Sequence, residues 1–234
     1  MYKKGQLKDE NKSLSKIDKK NYLAVLSEMD KKLIQSIYQQ FLNSSGDDLM
    51  RYTYTNYPYT AINSETAERL LTKQQLSQVN LCRPAFKETR LFTIGYEGIS
   101  LEEYLNRLIK NDIKILVDVR RNALSMKFGF SKNQLKDYCD KLGIEYMHIP
   151  EVGIQSEFRQ ELNTQIDYDK LFSLYKKNNL STTALHQQKI LDLLKEKKTI
   201  ALTCFEANIC QCHRKHLAEA ITQLPGWDFE LKHI

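Results

Sequence analysis

Leu91-Phe92-Thr93-Ile94-Gly95, then Ser100-Leu101-Glu102-Glu103, then Lys114-Ile115-Leu116-Val117-Asp118-Val119: the reading of this stretch decides the fold. An apolar run of strand length stops at a glycine. A serine with a glutamate three residues on then opens a segment whose Leu101, Tyr104, Leu105, Leu108 and Ile109 share one helical face, and a second apolar run follows. Strand, helix and strand in that order call for parallel strands joined by a right-handed crossover. The alternation continues downstream. Ser131-Lys132-Asn133-Gln134 predicts another capping box, with Leu135, Tyr138, Cys139 and Leu142 as its apolar stripe and Gly143 as its stop. A strand over 144–149 halts at Pro150, helices fall near 168–178 and 182–197, a strand spans 199–205, a helix runs over 213–223, and 229–234 forms a terminal strand. Residues 89–234 therefore read as an α/β domain, a mostly parallel Rossmann-like sheet flanked by helices.

Residues 1–88 read as a helical, lysine-rich N-terminal extension. Residues 1–20 are polar, and Leu23, Leu26, Leu33, Ile37 and Phe41 sit at helical spacing until Ser44-Ser45-Gly46 stops the pattern. Tyr52, Tyr54, Tyr57 and Tyr59 follow, read as a packing seam in preference to a base-stacking surface. A second helix is expected over 64–79, opened by Ser64, and Arg83-Pro84 marks a linker. The net charge is +6, yet residues 1–32 hold nine lysines against five acids while residues 91–234 are nearly balanced. That distribution favours a solvated tail over a nucleic-acid arm. The five cysteines have no disulfide-scaffold spacing, so reduced thiols are expected. No apolar run approaches a bilayer span, and the lysine-rich start carries no signal core. The expectation is a cytoplasmic protein without a membrane partner.

In parallel sheets ligands gather beyond the carboxyl ends of the strands. The expected strand ends carry Gly95-Tyr96-Glu97-Gly98, Asp118-Val119-Arg120-Arg121, His148-Ile149-Pro150-Glu151-Val152-Gly153 and Cys204-Phe205-Glu206, with Cys212-His213-Arg214 shortly after the last. Taken in order over residues 90–234, these motifs resemble the domain-of-unknown-function family 488. The resemblance implies a Rossmann-like α/β fold with signature residues around one cleft, and it implies no established reaction; the candidate ligand-binding residues are Gly95, Tyr96, Arg120, Ser125, Glu151, Cys204 and Arg214. The segment 51–61 is similar to the extension of longer members, where a winged-helix-like region precedes the domain. Two departures concern loop shape. Members often carry a proline a few residues after Asp-Val-Arg, where this chain has Asn122-Ala123-Leu124-Ser125, and a Gly-Gly pair where it has Val152-Gly153-Ile154.

Cys212 falls at the first turn of the last helix, where the macrodipole favours anions and depresses a thiol pKa, making it a candidate nucleophile. Asp118, Glu206 and His213 are the candidate acid–base groups. Arg214 and Arg120 offer a clamp for phosphate. The run Cys204-x5-Cys210-x-Cys212-His213-x2-His216 contains zinc-ligand types at a spacing that fits no standard zinc module. No metal or other cofactor is therefore assigned, and zinc is kept as the alternative. Leu116 to Arg120 also resembles the Asp-x-Arg strand of rhodanese-like domains, but without their anion-binding cysteine loop. The functional expectation is an enzyme that binds a phosphate-bearing nucleotide or nucleic-acid component, with hydrolysis as the first reaction class. The alternative is a non-catalytic ligand-sensing or nucleic-acid- or protein-binding regulatory module.

Overall fold

Three of the upstream helices begin where a side chain satisfies backbone at the first turn. The structure, a computed structural model, describes residues 22–84, 88–155, 158 and 162–234. It divides into a first unit ending at Thr53 and a second, Tyr54–Ile234. The expected helix over 22–42 is broken at Ser27: a 3-10 turn covers Tyr22–Val25, and helix α1 (Glu28–Phe41) starts anew because Ser27 accepts a hydrogen bond from the Asp30 amide. Gly46, expected to stop a helix, starts one. Helix α2 (Gly46–Asn56) carries Asp47 and Asp48 in its first turn, and the Asp48 carboxylate accepts from the Ser45 amide at 3.0 Å. The helix expected over 64–79 is two, α3 (Ala67–Leu70) and α4 (Lys73–Leu81), separated by a Thr72–Gln75 capping box absent from the sequence reading. Ala61, Ile62, Ala67, Leu71 and Val79 form a small core against Ile109.

The α/β arrangement has the expected parallel character. Strands β1 (Arg90–Gly95), β2 (Ile115–Asp118), β3 (Glu145–His148), β4 (Thr199–Cys204) and β5 (Glu230–His233) form one sheet in the order β3-β2-β4-β1-β5, every pair parallel. Leu91, Ile115, Val117, Ile200 and Leu202 point to one face, and Phe92, Ile94, Leu116 and Ala201 to the other. Both faces are covered, which is why β1, β2 and β4 read as continuous apolar runs. Helices α5 (Leu101–Lys110) and α6 (Lys132–Lys141) bury Tyr104, Leu108, Leu135 and Cys139 on the second face. Helices α7 (Gln165–Tyr175), α8 (Ala184–Lys197) and α9 (His213–Thr222) cover the first. Among the described residues no helix is long and apolar enough to cross a membrane.

One buried hydrogen bond ties α5 to the strand that carries the site. Tyr104 is fully buried, and its hydroxyl donates to Thr203 Oγ1 at 2.7 Å. Tyr104→Phe removes that bond while keeping the ring. It is expected to lower stability by about 1 kcal/mol, read as a fall in the urea midpoint at unchanged slope.

Candidate functional site

Strand register gathers the site. Gly95 at the end of β1 lies opposite Cys204 at the end of β4, and Asp118 at the end of β2 opposite Thr203. The chain after β1 is stitched to the chain after β4: the Tyr96 and Glu97 amides both donate to the Phe205 carbonyl, at 3.1 and 2.9 Å, and the Ala207 amide donates to the Glu97 carboxylate at 2.9 Å. Gly95 permits this contact, since a Cβ there would stand 2.0 Å from the Glu206 carbonyl oxygen.

Asp118 and Arg120 form a buried pair at the end of β2. Arg120 Nε donates to Asp118 Oδ1 at 2.8 Å and Nη2 to Oδ2 at 2.5 Å, with side-chain exposures of 6% and 0%. Tyr146 donates its hydroxyl to Asp118 Oδ2 at 2.6 Å, and Arg120 Nη1 donates to the Tyr96 hydroxyl at 2.6 Å and the Phe130 carbonyl at 3.0 Å. Burial acts to lower the Arg120 pKa, but the hydrogen bonds and charge of Asp118, with Tyr96, carry it above the usual arginine range. Burial, then the Asp118 charge, pushes the Tyr146 phenol up. The pair is thus a braced structural centre: the carboxylate proposed as an acid–base group and the guanidinium proposed as a phosphate clamp spend these contacts on each other and on the two tyrosines. Tyr146 was not singled out by the sequence. Its signal was available in β3, where Tyr146 alternates with residues of the opposite face.

The second cluster lies at the β4 to α9 junction. Cys204 Sγ donates to Glu206 Oε2 at 3.1 Å and lies 3.7 Å from His213 Nδ1. His213 Nε2 donates to the Val119 carbonyl at 3.0 Å, which turns Nδ1 toward the sulfur. One ligand atom each of Cys204, Cys212 and His213 lie within 4.8 Å of one another, and all three residues are buried. Cys212 caps α9, where the sequence reading expected a depressed thiol pKa. The structure gives the reverse: burial, reinforced by Cys204 and Glu206, raises it well above the ordinary thiol value. Desolvation exceeds the partial charge of a helix end.

Arg214 is 2% exposed and also inward-facing. Its Nη1 donates to the Glu206 carbonyl at 2.5 Å and Nη2 to the Ala207 carbonyl at 3.3 Å, so it braces the loop that carries Glu206. Glu151 lies in the turn Pro150–Val152 and faces His186 at 3.8 Å, outside the cleft lining. Cys210 is exposed, and His216 pairs with Glu219 at 3.1 Å, leaving both outside the sulfur–imidazole cluster.

Two depressions of about 310 Å³ each meet at this centre. The first is lined by Tyr96, Arg120, Arg121, Ser125, Cys204 and Phe205, the second by Glu97, Tyr168, Phe172, Phe205, Glu206 and Gln211. Phe205 stands between them, edge-on to Tyr96 with ring centroids 5.4 Å apart. Ser131, expected to close a capping box on α6, makes no such cap bond. Its hydroxyl instead donates to the Ser125 carbonyl at 3.0 Å and accepts from the Ser125 amide at 3.2 Å, fixing the loop at the first depression.

Neither a curated protein nor a solved structure matches the chain. Residues 100–221, a little over half of the sequence and the part that contains Asp118, Arg120 and the whole Cys204 to Arg214 segment, match the family described as Domain of unknown function DUF488. With that match spanning the α/β domain from its first crossover helix to its last helix, the chain belongs to the DUF488 family.

Proposed function

We propose that the chain is a hydrolase that binds a phosphate-bearing nucleotide component across Phe205, with its reaction centre at Cys204, Glu206 and His213. The observation that carries this reading is the position of Cys204: it lines a cleft while touching a carboxylate on one side and an oriented imidazole on the other. Phe205 is 42% exposed and offers a ring face to a base. Arg121 is the exposed cation of the first depression and Ser125 its hydroxyl, a combination suited to a phosphate. Volumes of this size suit a small ligand. Glu206, half-buried beside the sulfur, is the acid–base group.

The test is turnover of nucleoside mono-, di- and triphosphates and short oligoribonucleotides, followed by separation of products. Glu206→Gln is expected to reduce kcat by about 100-fold or more while leaving ligand affinity unchanged, because the amide keeps the shape and loses the acid–base function. No turnover of any of these compounds would sink the enzymatic reading. The regulatory alternative is favoured by the exposed apolar rim of the first depression, where Leu124 is 76% exposed and Met126 is fully exposed. Nucleotide binding without turnover would support that alternative.

A further inference from the structure

We infer that Cys204, Cys212 and His213 form a zinc site with a fourth coordination position open beside Glu206. Ligand identity is the first argument: two sulfurs and one imidazole are the donor set of zinc, whereas magnesium and calcium require oxygen. Distance is the second. Zinc–sulfur and zinc–nitrogen bonds of about 2.3 and 2.0 Å at a tetrahedral angle place the two donor atoms roughly 3.5 Å apart. Cys204 Sγ and His213 Nδ1 stand 3.7 Å apart, and the Cys212 ligand atom lies within 4.8 Å of both.

Orientation is the third argument. His213 directs Nε2 at the Val119 carbonyl, 3.0 Å away, and the Val119 amide is itself anchored to the Thr203 carbonyl at 3.2 Å. A ligating histidine characteristically donates its other ring N–H to such a carbonyl, which fixes tautomer and ring angle. Topology supplies the rest. Cys204 ends β4, Cys212 has extended backbone as the cap of α9, and His213 is the first residue of that helix. Cys210 and His216, the other two candidates in the sequence run, are turned away.

Charge balance makes a buried ion tolerable. Both thiols give up their protons to solvent as zinc binds, so one divalent cation meets two thiolates and the cluster ends neutral. Three protein ligands leave one position for water or substrate, the arrangement of catalytic rather than structural zinc. Glu206 Oε2, 3.1 Å from Cys204 Sγ, flanks that position without belonging to the three-residue cluster. The site goes beyond the hydrolase reading and stands whether or not the cleft turns over a nucleotide.

The experiment uses the full chain, reduced, stripped with a chelator and titrated anaerobically with cobalt and then zinc. One equivalent of cobalt is expected, with the visible bands of a tetrahedral ion and near-ultraviolet sulfur-to-cobalt charge transfer, all abolished by one equivalent of zinc. Cys204→Ser and Cys212→Ser should each remove about half the charge-transfer intensity and weaken zinc binding by at least about 100-fold, more than loss of an outer-shell partner does. Cys210→Ser and His216→Ala should bind as the parent does. Uptake of less than about a tenth of an equivalent by folded parent protein overturns the site, as does a pale octahedral spectrum without charge transfer. This titration of the parent decides the matter even where a buried variant fails to fold. Cobalt binding without nucleotide turnover removes the hydrolase reading alone, and turnover by stripped protein that takes up no cobalt removes the zinc site alone.

Discussion

Asp118→Ala is expected to destabilise the protein by about 3–5 kcal/mol, the cost of leaving one member of a buried ion pair without its partner. Arg120 is 5% exposed and cannot shed its charge, since its pKa lies above the usual arginine range. Without Asp118 the guanidinium loses two hydrogen bonds, and the Tyr146 hydroxyl, which donates to the same carboxylate at 2.6 Å, loses its acceptor as well. Asp118→Asn retains one oxygen for Tyr146 or Arg120 and should cost less. A double-variant cycle separates the pair from its surroundings: replacing Asp118 by leucine and Arg120 by methionine together should recover much of the loss, because two charges leave the interior at once. Recovery should remain incomplete, as the Phe130 carbonyl and the Tyr96 hydroxyl are bonded to Arg120. The measurement is urea or guanidinium unfolding of each variant at fixed pH. A loss below about 1 kcal/mol for Asp118→Ala, the range of an exposed pair, would mean that water reaches Arg120.

The central strands β1, β2 and β4 were legible in the sequence because they are buried on both faces and therefore appear as short apolar runs. Ser100 caps α5 as expected, its hydroxyl accepting from the Glu103 amide. Where the sequence misled, a local pattern had a tertiary use. Ser131 has the spacing of a capping box, yet its hydroxyl holds the Ser125 loop instead. Gly46 looks like a stop, yet Ser45 and Asp48 satisfy a helix start there. At the site, the residue types were readable and their partnerships were not. Arg120 and Arg214 have the chemistry of anion clamps, but one is bound to Asp118 and the other to the carbonyls of the 206–207 loop. Cys212 sits at a helix N-terminus, as the spacing implied, but its burial reverses the expected shift. Linear spacing also grouped Cys204, Cys210, Cys212, His213 and His216 together, whereas the backbone path admits only three of them to one cluster. Which side chains of a loop turn inward depends on the path between β4 and α9, and residue spacing does not encode that path.

Gly95→Ala is expected to be strongly damaging, because the added methyl collides with backbone. Gly95 has no positive φ, so the alanine conformation is unstrained and the whole effect is steric. The added Cβ would lie 2.0 Å from the Glu206 carbonyl oxygen, 2.8 Å from its carbon and 3.1 Å from Arg214 Nη2. Neither strand end can retreat cheaply: β1 lies between β4 and β5, and Phe205 accepts from both Tyr96 and Glu97. The 205–207 segment must therefore move, loosening the bond from Arg214 to the Glu206 carbonyl and carrying Glu206 away from Cys204. A loss of about 3 kcal/mol is expected, at the upper end of overpacking in a well-filled interior. Gly98 is the matched control. Its φ of +76 strains an alanine, but nothing lies within 4 Å of the added Cβ, so Gly98→Ala should cost about 1–2 kcal/mol and leave the site intact. The two variants should also differ in cobalt binding, with Gly95→Ala weakened by about 10-fold or more while Gly98→Ala matches the parent. Equal losses of stability with equal, unchanged cobalt affinity would show that the Glu206 loop can yield without disturbing Cys204, and would place the constraint on Gly95 elsewhere.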